Sequence, residues 1–69
     1  MKNIGQKLRE CRKEQGLTID QLSELSGIDR TTIWGYEVGR HTPRIQALEI
    51  LLCAMGYELN IARTRDEEN

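Results

Sequence analysis

The sequence predicts an all-α fold of four helices in one compact domain, closed by a short C-terminal β-strand that pairs across a dimer. Three observations carry that prediction. Apolar residues recur at helical spacing in four stretches. A glycine (Gly16, Gly27, Gly39 or Gly56) stands just past each stretch, where a helix ends most cheaply. After Gly56 the apolar period changes from helical to alternating.

The first helix is expected over about Ile4–Gln15, with Ile4, Leu8 and Cys11 at helical spacing and charges elsewhere. The second is expected over Ile19–Ser26. Thr18 is its N-cap, Gln21 completes a capping box, and Leu22 and Leu25 form an inward face. The third is expected over Arg30–Val38 with Asp29 as N-cap. The fourth is expected over Pro43–Met55, with Thr42 as N-cap and Pro43 at the favoured first position. Ile45, Leu48, Leu51, Leu52 and Met55 make its apolar stripe. Tyr57 to Arg63 alternates apolar and polar and reads as a strand. A lone strand in a helical chain has an unpaired edge, and the same strand of a second copy is the simplest partner. The chain thus divides into a helical domain over 1–56, a dimerising strand over 57–63 with Tyr57, Leu59 and Ile61 at the interface, and a disordered charged tail over 64–69.

Composition narrows the function. At 69 residues the chain leaves no room for a deep enclosed catalytic cleft, and its thin core favours a second subunit. No apolar run approaches the ~20 residues of a membrane span, and the N-terminus has no apolar signal core, so a cytoplasmic location is expected. Cys11 and Cys53 make no disulfide framework. A zinc site from Cys11, Cys53 and His41 would need three distant segments without metal-ligand spacing. No acid–base pair or phosphate loop is present. Nothing implies catalysis, a metal, a cofactor or a small-molecule ligand. The net charge of −1 gives weak support to a nucleic-acid partner, although residues 1–65 carry ten Lys/Arg against eight Asp/Glu.

The function lies in the third helix. The turn Gly27-Ile28-Asp29 before it is so short that two helices joined there cross steeply, and the second projects from the surface. Ile33, Tyr36 and Glu37 fall on one face of that second helix; Thr31, Trp34, Gly35 and Val38 fall on the other, with Arg30 at the exposed start. Such a helix fits the major groove of double-stranded DNA. Arg contacts guanine O6 and N7, and Thr offers a hydroxyl to a base edge and a methyl to thymine. Gly35 is explained equally by close approach to the DNA backbone or a base edge, or by close helix packing or simple tolerance of a glycine there. Trp34 serves either as a DNA contact or as packing against the second helix.

The stretch Gly16-Leu17-Thr18-Ile19-Asp20-Gln21-Leu22, continuing through Ser26-Gly27-Ile28-Asp29-Arg30-Thr31-Thr32-Ile33 to Glu37-Val38-Gly39, resembles the Xre-type helix-turn-helix of phage repressors and Cro proteins. The resemblance implies a repressor-like helix-turn-helix domain acting as a sequence-specific transcriptional repressor, a homodimer on a palindromic operator. It implies base contacts from Arg30, Thr31 and Gly35, to which the helical register adds Trp34. It implies phosphate contacts from Thr32, Arg40 and Arg44, and a partly buried salt bridge between Arg12 and Glu37; the other reading of Glu37 is a solvated helix end. The family's glutamine after the Thr cap is Ile19 here, and Gln21 stands nearby as a substitute phosphate contact that capping competes for. The ending Ala54-Met55-Gly56-Tyr57-Glu58-Leu59-Asn60-Ile61 resembles antitoxins of Hip-type kinase toxin modules. That resemblance supports the dimerising strand and raises an alternative: an antitoxin that binds a kinase-like toxin protein and represses its own operon.

Overall fold

The computed structural model describes residues 3–58. Its elements are α1 (Ile4–Glu14), α2 (Ile19–Ser26), α3 (Arg30–Val38) and α4 (Ile45–Ala54). Side chains satisfy the free amides at three of the four helix starts. Asn3 Oδ1 accepts from the Gln6 amide at 2.9 Å ahead of α1. Thr18 and Gln21 form a complete capping box, with bonds of 2.9 and 3.0 Å. Asp29 Oδ2 accepts from the Thr31 amide at 3.0 Å. Each such cap is worth about 1 kcal/mol to its helix.

The turn between α2 and α3 is equally well paired. Gly27 takes φ 78°, a left-handed conformation that a side chain would disfavour. The Ser23 hydroxyl donates to the Ile28 carbonyl at 2.7 Å, and the Ile28 amide donates to Ser26 Oγ at 3.1 Å. The turn is thus held in one shape, and that shape aims α3.

Leu8 of α1, Leu22 of α2, Ile33 of α3 and Leu51 of α4 meet in the core, joined by Met55. Burying each such side chain contributes roughly 1.5–3 kcal/mol. Between α1 and α3 the backbones themselves touch. A Cβ on Gly5 would collide with the Tyr36 carbonyl oxygen and stand 2.9 Å from that of Glu37, so only glycine permits the approach.

Three expectations are corrected. Leu25 does not face inward: it is 60% exposed, because it lies about 60° around the helix from Leu22 and a helix this short presents a narrow stripe. Ile45 is likewise exposed at the first turn of α4. Thr42 does not cap α4 and Pro43 does not open it. The helix begins at Ile45 behind an extended Arg44 that makes no side-chain cap, while Pro43 is buried. Burial of the proline holds the chain extended for the residues that carry it from α3 to α4. Tyr57 and Glu58, the two described residues of the stretch expected to pair across a dimer, carry no regular secondary structure in the single chain. The Tyr57 ring packs against the core and its hydroxyl turns back to α1, donating to Glu14 Oε1 at 3.0 Å and accepting from Gln15 Nε2 at 3.2 Å. Intramolecular bonds therefore occupy a side chain expected at a dimer contact. Leu59, Ile61, the rest of the 57–63 segment and the 64–69 tail lie outside the described residues.

Candidate nucleic-acid interface

The inner side of α3 is fixed first. Ile33 enters the core and Glu37 is buried. Arg12, on α1, meets Glu37 through two parallel bonds, Nε to Oε2 at 2.7 Å and Nη2 to Oε1 at 3.0 Å, while its Nη1 donates to the Leu17 carbonyl at 2.8 Å. The pair implied by the resemblance is therefore formed, and it clamps the last turn of α3 to α1 and to the approach to α2.

With that side anchored, Arg30, Thr31, Trp34 and Val38 stand exposed on the other. Arg30 does not hang free: its Nη1 lies 3.2 Å from Asp20 Oδ1, both side chains mostly in solvent. The bond crosses the helix-turn-helix from the start of α2 to the start of α3. Trp34 is 43% exposed, and Arg40 sits over its ring at 5.3 Å from the centroid. The guanidinium and the indole attract one another through the ring quadrupole. Arg30, Thr31, Trp34 and Ile19 enclose a shallow cavity of about 240 Å³ between the two helix starts.

On the other flank of α3, Thr32 and Arg44 line one groove with Tyr36, Ala47 and Ile50. Gln21 has its Oε1 committed to the Thr18 amide, which leaves its NH₂ as the group able to meet a phosphate. Gly35 departs from the expected outward face. It is buried, and a Cβ there would stand 2.8 Å from the His41 ring, so its missing side chain makes room for His41. Trp34 keeps an exposed face while lining the hollow with Ile19 of α2.

The structure thus brings Arg30, Thr31, Trp34 and Arg40 into one continuous row, sets Thr32 and Arg44 beside it, and withdraws Gly35. Sequence reasoning missed Asp20, Ile19 and His41. A glycine inside a helix was the one signal for His41, since it marks a place that something approaches closely. Asp20 and Ile19 join the site only through the crossing of α2 and α3, which spacing along the chain does not specify. Among the described residues no group of His, Cys, Asp and Glu is arranged to hold a metal ion.

Comparison with known proteins agrees with this geometry. Residues 8–61 match the family model described as helix-turn-helix. The chain is 41% identical over 51 residues to an uncharacterized HTH-type transcriptional regulator of Methanothermobacter thermautotrophicus, covering 74% of each protein. It is 32% identical over 57 residues to the immunity repressor protein of Bacillus phage phi105, covering 83% of this chain and 40% of the phage protein. Among solved structures, that of SinR, the master regulator for biofilm formation, in complex with DNA superposes with a TM-score of 0.77 at 30% identity, over 81% of this chain and 90% of the chain in that structure.

Proposed function

The chain belongs to the helix-turn-helix family of DNA-binding transcriptional regulators, and from that premise we propose that it is a sequence-specific repressor that reads a palindromic operator as a homodimer. One observation supports this most directly: the exposed face of α3, with Arg30, Thr31 and Trp34 in a row, on a helix whose opposite face is locked by Ile33 and the Arg12–Glu37 pair. Arg30 and Thr31 read base edges in the major groove, and Trp34 rests against the groove wall. Thr32, Arg40, Arg44 and the Gln21 amide meet phosphates on either side.

Selection of bound duplexes from a random pool at fixed salt tests the reading. It is expected to return half-sites about 34 Å apart, one turn of the duplex. Affinity is expected to fall linearly in log–log against salt, with a slope near −0.9 per phosphate contacted. Arg30→Ala is expected to relax base choice at one position per half-site by about 1–3 kcal/mol, and Arg40→Ala to weaken all sequences alike. A pool from which no sequence is enriched would end the proposal.

Dimerisation is assigned to the alternating stretch bearing Leu59 and Ile61. Ile61→Pro removes a ladder donor there and is expected to shift sedimentation towards the monomer. The antitoxin alternative rests on the resemblance of residues 54–61, and copurification of a second, kinase-like protein is the observation that would carry it.

A further inference from the structure

The cavity between the starts of α2 and α3 has a chemistry of its own. It is lined by Ile19, half-buried against the core, by the exposed Trp34, and by Thr31 and Arg30. Both neighbouring surfaces are polar. Asp20 and Arg30 pair on one side, and Arg40 covers the indole on the other. A hollow of about 240 Å³ on the exposed face of α3, with Ile19 and Trp34 as its apolar lining and Arg30 and Thr31 as its polar lining, is larger than a methyl group needs and admits the edge of a pyrimidine that carries one. Of the four base pairs in a major groove, only those with thymine present an apolar group, the 5-methyl. Methylated cytosine presents the same group at the same ring position.

Resting on the DNA-reading function above, we infer that this hollow takes the 5-methyl group of a pyrimidine adjacent to a guanine bound by Arg30. The adjacency follows from Arg30 lining the same hollow. Its Nη1 is tethered to Asp20 beside the hollow, and its remaining donors are free for guanine O6 and N7. A methyl seated against Ile19 and Trp34 therefore belongs to the neighbouring pair. The recognised unit is a 5-methylpyrimidine–guanine step, in which thymine and 5-methylcytosine are chemically equivalent at the hollow.

The test uses the full chain and the operator recovered by selection. The guanine is located as the position whose preference Arg30→Ala abolishes. Duplexes are then made with thymine, uracil, cytosine or 5-methylcytosine at the adjacent pyrimidine. The expected result is about fourfold tighter binding of thymine than uracil, and of 5-methylcytosine than cytosine, the effect of burying one methyl. Both ratios are expected to fall towards one in Ile19→Ala. They are expected to do the same in Trp34→Ala, which alters an exposed side chain and leaves the core alone. Equal binding of thymine and uracil duplexes by the unaltered protein overturns the inference while leaving the repressor reading intact. So does a methyl preference that survives both substitutions, or an Arg30-dependent guanine with no pyrimidine beside it. Failure to select any sequence overturns the repressor reading, and the inference with it.

Discussion

Arg12 holds both carboxylate oxygens of Glu37, at 2.7 and 3.0 Å, in a pair almost closed to solvent. Its remaining nitrogen is taken by the Leu17 carbonyl, so the buried guanidinium is well satisfied. Removing one partner strands the other charge. Glu37→Ala or Arg12→Ala is therefore expected to lower stability by about 3–5 kcal/mol in urea unfolding. The double variant Arg12→Met, Glu37→Leu is expected to recover much of that loss, because neither charge then needs burying. A double variant as unstable as the sum of the singles would show that the pair contributes through packing alone.

Two glycines face close neighbours, with opposite expected outcomes. Gly5 abuts the Tyr36 and Glu37 carbonyls, which belong to the α3 backbone and have nowhere to go. Gly5→Ala is expected to cost roughly 1–3 kcal/mol of stability, read from thermal unfolding. Gly35 faces only the His41 ring, at 2.8 Å, on an exposed side chain able to swing away. Gly35→Ala gains about 1 kcal/mol of helix propensity against that small displacement. It is expected to leave stability within about 1 kcal/mol of the starting value and to keep DNA affinity.

Asp20 tethers Arg30 but also places a carboxylate where the reading expects phosphates. An exposed pair of this kind contributes about 0–1 kcal/mol to folding. Asp20→Asn is expected to be almost neutral in thermal unfolding. It is expected to bind all DNA more tightly, with non-specific sequence gaining more than the operator because Arg30 is no longer aimed. A specificity ratio unchanged between the two proteins would remove Asp20 from the site.

Tyr57, beyond the Met55-Gly56 end of α4, connects the chain there to the end of α1. The Gln15 amide donating to its oxygen pulls the phenol pKa down. The Glu14 carboxylate that accepts its proton, together with partial desolvation and the Glu14 charge, prevails and raises it above 10.0. A folded value above the unfolded one means that the stabilisation is complete below about pH 10 and fades as pH climbs through the raised value. Tyr57→Phe is expected to flatten the alkaline loss of thermal stability relative to the unaltered protein. Parallel pH profiles for the two would show that the hydroxyl is not linked to folding.

Much of this architecture was legible in the residues. Thr18 with Gln21, Asp29 before α3, and the glycines after the helices are local signals, and local chemistry set the boundaries they mark. The start of α4 was misread because Thr42-Pro43 has the same local signature as a cap, and only the tertiary burial of Pro43 distinguishes the two. The outward placement of Arg30, Thr31 and Trp34 followed from helical register. The burial of Gly35 did not, since it comes from His41, which reaches it from a loop. Tyr57 was read from its alternating neighbours, whereas its partners lie more than forty positions earlier in the chain.

At Gly5 the backbone of α1 meets the carbonyls of α3 with no side chain between them, and further along Arg12 and Glu37 clamp the same two helices. Sliding or tilting of one against the other would open a gap or force an overlap, so the pair behaves as a single stiff body. A stiff body cannot mould itself to an imperfect duplex, and the duplex must supply the adjustment. Operators are then expected to be ranked partly by the work of bending them, at base pairs that no side chain touches. Exchanging stiff A-tract for flexible pyrimidine–purine steps between the half-sites, with the contacted bases kept, would expose that contribution as a change in affinity.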